Sequence, residues 1–182
     1  MKIAVVAANG KASRAIIEEL IARGHAVTGF ARSENKSAAK DFVQRDILGL
    51  TKADLAGFDV VVDGFGAYTP DTLPLHTKTS QHLADLVAGT NTCLYIVGGA
   101  GSLYVDASHR VQLLDTPEFP AAFYAVAKAQ TEELAALRAR KDAKWVYVSP
   151  AAECSSLRCR SIARRRRRSV CRESSSGGFC AR

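Results

Sequence analysis

Ile3-Ala4-Val5-Val6-Ala7-Ala8-Asn9-Gly10-Lys11-Ala12-Ser13 is the stretch on which the reading of this chain turns. Its first residues are continuously apolar, the pattern of a parallel strand buried on both faces rather than of a half-exposed strand, which would alternate. Asn9-Gly10 is a turn signal. Ala15, Ile16, Leu20 and Ile21 then recur at helical spacing, with Glu18, Glu19 and Arg23 on the other side. Gly24 stands where a helix stops in the left-handed conformation. Strand, tight turn and helix in this order make the first half of a βαβ unit.

The same rhythm continues outward. Further strands are expected at 26–30, 42–44, 59–63, 93–97 and 145–148, with helices at 75–88 and 121–140. Strands alternating with helices imply right-handed crossovers and a parallel sheet covered on both faces. The expected fold class is therefore α/β, a Rossmann-like doubly wound sheet in the order 3-2-1-4-5-6. A length of 182 residues, 47% apolar and 24% charged, suits one globular domain and excludes a collagenous or wholly disordered chain. No internal repeat is visible.

After Pro150 the grammar stops. Residues 155–182 hold nine Arg, seven Ser and one acid, Glu173, whereas residues 1–154 carry 16 basic and 17 acidic groups. The net charge of +7 thus belongs to the end of the chain, and the slightly acidic body gives no sign of a specific nucleic-acid partner. Cys93 stands alone in the body, while Cys154, Cys159, Cys171 and Cys180 crowd the end, which is not how a secreted disulfide framework distributes its cysteines. The expected division is a nucleotide-binding domain over 1–152 and a disordered basic tail over 153–182. The abrupt change in composition is what a shifted reading frame yields, and such a replacement leaves open whether the chain is catalytically complete. No apolar run is long enough for a membrane span or a secretory core segment, so a cytoplasmic monomer or homodimer without a membrane partner is expected.

Chemistry concentrates at the strand ends. In dinucleotide-binding folds the first turn is glycine-rich, so that the backbone approaches the pyrophosphate and the helix N-terminus supplies N–H donors. Here Gly10 is the one glycine, with Ala7 and Ser13 at the flanking positions of a G-x-x-G-x-x-G spacing. Ala7, Asn9, Gly10, Lys11, Ala12 and Ser13 are the candidate phosphate-binding residues, the Ser13 hydroxyl as a further donor. An ordinary strand-to-helix turn has the same sequence. The second strand ends in Ala31-Arg32-Ser33, without the carboxylate that would hold the adenosine ribose of NAD. Arg32 is suited to a 2′-phosphate, so NADP is favoured over NAD, although a solvated surface arginine reads the same way.

The segments Val6-Ala7-Ala8-Asn9-Gly10-Lys11-Ala12-Ser13, Arg23-Gly24-His25-Ala26-Val27-Thr28, Ala31-Arg32 and Arg45-Asp46 together resemble the atypical short-chain dehydrogenase/reductases. More narrowly they resemble the small NAD(P)H-binding, NADH-flavin-reductase-like group. Val97-Gly98-Gly99-Ala100-Gly101-Ser102-Leu103, Leu114-Asp115-Thr116-Pro117 and Tyr147-Val148-Ser149-Pro150-Ala151 fit as well. The resemblance implies that Asp46 and Ile47 lie beside the adenine, that Gly64-Phe65-Gly66 passes over the cofactor, and that Gly98 and Gly99 belong to the cofactor site. Tyr124 and Lys128 form a Y-x-x-x-K pair, one turn apart on the same face if 121–140 is helical, with Ser102 just past the fifth strand as the group that would orient the substrate oxygen. In short-chain dehydrogenases such a lysine lowers the tyrosine pKa, and the phenol exchanges a proton with the substrate. A Tyr and a Lys four apart also occur on helices without any catalytic role, and both readings stand at this stage.

His25, His76, His82 and His109 show no metal-ligand spacing and are expected to be solvated or capping; no metal site is expected, and Cys154 with Cys159 lacks the paired pattern of a zinc site. No G-x-S-x-G nucleophile elbow is present. The function expected is an NADP-dependent oxidoreductase passing hydride to a small carbonyl, quinone or flavin-like acceptor. The alternative is a non-catalytic NAD(P)-binding sensor or scaffold.

Overall fold

The structure, a computed structural model, describes residues 1–151. The tail expected over 153–182, its four cysteines and its arginine run lie outside the described residues.

Six parallel strands form one sheet: β1 (Lys2–Val6), β2 (Ala26–Ala31), β3 (Asp41–Gln44), β4 (Val60–Asp63), β5 (Cys93–Val97) and β6 (Lys144–Val148). Their order is β3-β2-β1-β4-β5-β6, the doubly wound arrangement expected from the alternating pattern. β1 is buried from Ile3 to Val6 because both its faces are covered. Ile3 and Val5 meet α1 (Lys11–Ala22) together with Ile17 and Val27, while Ala4 and Val6 face a larger core with Phe30, Leu83, Leu94, Leu134 and Trp145. That second core lies beneath α2 (Leu75–Val87) and α3 (Ala121–Arg138), which pack against each other. Reversal of strand order between β1 and β4 opens a crevice at the carboxyl ends of the strands, where ligands of such sheets bind.

The face of α1 differs from the one expected. Ser13 and Ile17 are buried, with Ile16 and Leu20 partly so, whereas Ala15 is exposed and Ile21 is 39% exposed. The stripe runs 13, 16, 17, 20, one residue earlier than the apolar residues alone suggest. Ser13 is its first member, and a hydroxyl residue is not counted in an apolar pattern. Gly24 has φ +76°, as its helix-stopping role requires.

The connection from β5 to α3 is long. It holds a short 3-10 turn at Ala100–Ser102, an antiparallel bridge between Tyr104 and Gln112, and a second 3-10 turn at Leu113–Asp115. No helix among the described residues is long and apolar enough to cross a membrane.

Candidate functional site

The first turn opens the crevice. Ala7 sits at φ +54°, a left-handed conformation that a glycine adopts at no steric cost and an alanine does not. Its carbonyl accepts a hydrogen bond from Gly10 N–H at 2.9 Å, closing the turn. Gly10 then leads into α1, whose first intrahelical bond runs from Arg14 N–H to the Gly10 carbonyl at 2.9 Å. No side chain caps α1 and no acid occupies its first turn, so the N–H groups at its start face the crevice as an anion site would require.

Ser13 is fully buried, and its hydroxyl faces the Gly64 carbonyl at 3.5 Å. That placement corrects its expected role as a phosphate donor, since the hydroxyl points into the protein. A Cβ built on Gly64 would fall well inside van der Waals contact of Ser13 Oγ. Where the glycine-rich pattern would have a third glycine to let helix and sheet approach, this chain has a serine, and the missing side chain is at Gly64 instead.

Asn9 joins the turn to the loop that carries Arg32. Its Nδ2 donates to the Glu34 carbonyl at 2.7 Å and to Ser33 Oγ at 3.1 Å, and its Oδ1 accepts from Lys36 N–H at 2.8 Å. The side chain is thus a brace rather than a free phosphate donor. Arg32 itself is exposed, directly after β2, and has no ion-pair partner among the described residues. Lys11 and Ala12 are exposed at the helix start.

Asp46 and Ile47 follow β3. The Asp46 carboxylate accepts from Leu48 N–H at 2.9 Å, capping a short 3-10 turn. Ile47 is 9% exposed and its side chain belongs to the core with Phe30 and Leu50, so only its backbone is placed to border a ligand. Gly98 and Gly99 have reasons to be glycine that come from below the crevice. A Cβ on Gly98 would collide with the Tyr147 ring, and one on Gly99 with Gln130 Oε1.

Tyr124 and Lys128 both lie on α3, one turn apart, and both are exposed. Tyr124 lines an open depression of about 550 Å³ with Leu114, Asp115, Thr116 and Phe119. Lys128 lines a different one, with Pro70, Leu73 and Thr77. Ser102 is 6% exposed, and no hydrogen bond joins any two of the three among the described residues.

The polar cluster that the sequence did not reveal lies at the ends of β4 and β6. Asp63, His76, Glu133 and Tyr147 are each under 5% exposed. Their number in so apolar a setting is the unusual feature. Asp63 Oδ1 accepts from Phe65 N–H at 2.9 Å, while Oδ2 is buried without a partner. Tyr147 O–H donates to the Gln130 carbonyl at 3.0 Å and lies 3.4 Å from Glu133 Oε2. His76 Nδ1 lies 4.0 Å from the same oxygen, with Nε2 3.1 Å from the Ala67 carbonyl and the ring edge-on to Phe65. This burial corrects the expectation of a solvated or capping histidine at 76: the residue is held inside α2 by its loop partner.

Burial raises the Asp63 carboxyl to about 6, opposed by the Phe65 N–H. Burial, then the neighbouring Asp63 charge, raises Glu133 to about 8 against hydrogen bonds from Ser80 and Tyr147. Burial pushes His76 down. At neutral pH both His76 and Glu133 therefore favour their neutral forms, and their approach is a contact of neutral groups rather than an ion pair. No cluster of three or more His, Cys, Asp or Glu suited to a metal exists among the described residues.

Comparison with known proteins agrees with this architecture. Residues 7–154 match a family model described as NAD(P)H-binding. A presumed NADH-flavin reductase of Streptococcus pneumoniae is 54% identical in sequence and superimposes with a TM-score of 0.82, over 84% of this chain and 73% of that one. A presumed epimerase of Bacteroides thetaiotaomicron is 30% identical at a TM-score of 0.70, over 84% of this chain and 71% of its own. The uncharacterised protein YwnB of Bacillus subtilis is 39% identical over 155 residues, 84% of this chain and 72% of that protein. With the open helix start, the braced Arg32 loop and the switch-point crevice already in place, a match over this much of the sequence means that the chain belongs to the NAD(P)H-binding family.

Proposed function

We propose that the protein is an NADPH-dependent oxidoreductase that passes hydride to a small planar acceptor, a quinone, a flavin or a carbonyl compound. The observation that carries this reading is the Asn9 brace, which holds the exposed Arg32 loop beside the uncapped start of α1. The pyrophosphate would lie against the α1 N–H groups from Lys11 onward, and Arg32 would pair with a 2′-phosphate. With Ala31 and Arg32 at the end of β2, no carboxylate is there to repel that phosphate. When bound, NADPH supplies the hydride.

The chain's own contribution is placement. Gly64-Phe65-Gly66 and Gly98-Gly99 follow directly on β4 and β5, and on this reading they would form the floor of the cofactor crevice. Tyr124 and Lys128 line separate depressions, which favours hydride passage to an acceptor that needs no phenolic acid.

Calorimetric titration with NADPH and NADH, followed by turnover of NADPH with a panel of quinones, flavins and carbonyl compounds, tests the proposal. Tight NADPH binding with turnover of at least one acceptor is expected. Tight binding without turnover would support the sensor reading, and no nucleotide binding would overturn both.

A further inference from the structure

Asp63 ends β4 at the switch point itself, paired in register with Val6 of β1 and Ile96 of β5, and the next residue begins the Gly64-Phe65-Gly66 floor. Its carboxyl is 1% exposed, with one oxygen satisfied by Phe65 N–H and the other without a partner. A buried carboxylate oxygen in this state is costly unless a positive charge answers it.

The elements packed around it bring none. Glu133 comes from α3, Tyr147 from β6, and the loop offers Phe65 N–H and the Ala67 backbone. From α2 come Ser80 and His76, the one basic group of the cluster, whose burial favours its neutral ring. Two acids and a phenol thus share a low-dielectric pocket under the crevice, where negative charge is relieved either by a proton or by a cation arriving from outside. The oxidised nicotinamide ring is a cation with no ring N–H to satisfy, while the reduced ring is neutral.

We infer that Asp63, backed by Glu133, is the residue by which this site tells the oxidised nicotinamide from the reduced one, its carboxylate charge favouring the cation across the floor of the crevice. The inference rests on the nicotinamide reading proposed above. Because Asp63 and Glu133 take up protons near neutrality, the preference depends on pH: as the pair ionises, the oxidised form gains affinity relative to the reduced form. By linkage, binding of the cation expels a proton that binding of the neutral ring leaves in place. The 2′-phosphate is common to both nucleotides, and its own titration cancels in their ratio.

The full chain is titrated with NADP+ and with NADPH from about pH 5.5 to about pH 8.5, a span that covers both acids. Each titration is repeated in buffers of different ionisation enthalpy to count protons. The affinity ratio is expected to move about tenfold toward NADP+ as pH rises, with proton release on binding NADP+ only. Asp63→Asn, which keeps the oxygen that accepts from Phe65, should flatten the ratio. Glu133→Gln should keep the part of the response near pH 6, where Asp63 ionises beside a still neutral neighbour, and remove the part near pH 8. A flat ratio in the unaltered chain with both nucleotides bound, or an unchanged response in Asp63→Asn, would overturn the inference alone. Failure to bind either nucleotide would overturn the nicotinamide reading and this inference with it.

Discussion

At the first turn, Asn9, Gly10 and Arg32 keep their polar groups at the surface: the start of α1 is uncapped, and the guanidinium stands in solvent. At the ends of β4 and β6, Asp63, His76, Glu133 and Tyr147 turn inward, each almost wholly enclosed. The two regions border one crevice, yet they work by opposite physics. An exposed cation and free N–H groups attract an anion by presenting charge, an effect that salt screens. Buried acids hold protons, and their charge acts through a medium that salt hardly reaches. On the reading proposed above, a site arranged in this way would grip the phosphates at one end and sense charge at the other.

Gly64 joins the two regions, since its absent side chain admits Ser13 on one side and its neighbour is Asp63 on the other. The largest effect is therefore expected from Gly64→Ala, which forces Ser13 and α1 away from the sheet. The expected cost is about 3 kcal/mol in urea unfolding. Adding Ser13→Gly should recover most of it, and a double-mutant cycle without coupling would break the link between the regions.

Next comes Arg32→Ala. Removing a charge-assisted contact should weaken NADPH by about one to two decades, roughly 1.5–3 kcal/mol, and leave NADH unchanged. The remaining NADPH affinity should depend less on salt. Calorimetry at two ionic strengths would show otherwise if the phosphate end is not organised as described.

The buried end predicts a pH dependence of stability. Glu133 titrates near 8 in the folded chain and near 4.5 in the unfolded one, so between those values the folded state binds more protons. Its contribution is full below the unfolded value and is lost as pH rises through the folded one. Asp63 acts in the same direction between 3.8 and about 6, whereas His76, pushed below 6.5, opposes both on the acid side because only the unfolded chain protonates it readily. From neutral pH toward about pH 8.5 the midpoint in urea should fall, by about 1–2 kcal/mol of stability at most, and Glu133→Gln should flatten that fall.

Two smaller effects complete the set. Ala7→Gly relieves the left-handed alanine but adds freedom to the unfolded chain, for a net rise in Tm of about 2 °C. Tyr124→Phe should leave turnover within about threefold, against the hundredfold loss of a true proton donor. A large loss would move the chemistry from the crevice floor to the depression beside residues 114–119.

The order of strands, the place of the crevice and the first turn were legible in the amino-acid sequence, because a strand buried on both faces, a tight turn and a helix are local patterns that repeat along the chain. Arg32 was legible for the same reason: it follows a strand whose end is marked. What local pattern cannot carry is the meeting of residues far apart. Ser13 and Gly64 are 51 positions apart, and each accounts for the other only once α1 lies on the sheet. Asn9 looks like a ligand until residues 33–36 fold back onto it. His76, Glu133 and Tyr147 read separately as a surface histidine, a helix acid and a strand tyrosine. Only the packing of α2, α3 and β6 over the end of β4 removes them from water, and removal from water is what turns ordinary side chains into a proton-binding cluster.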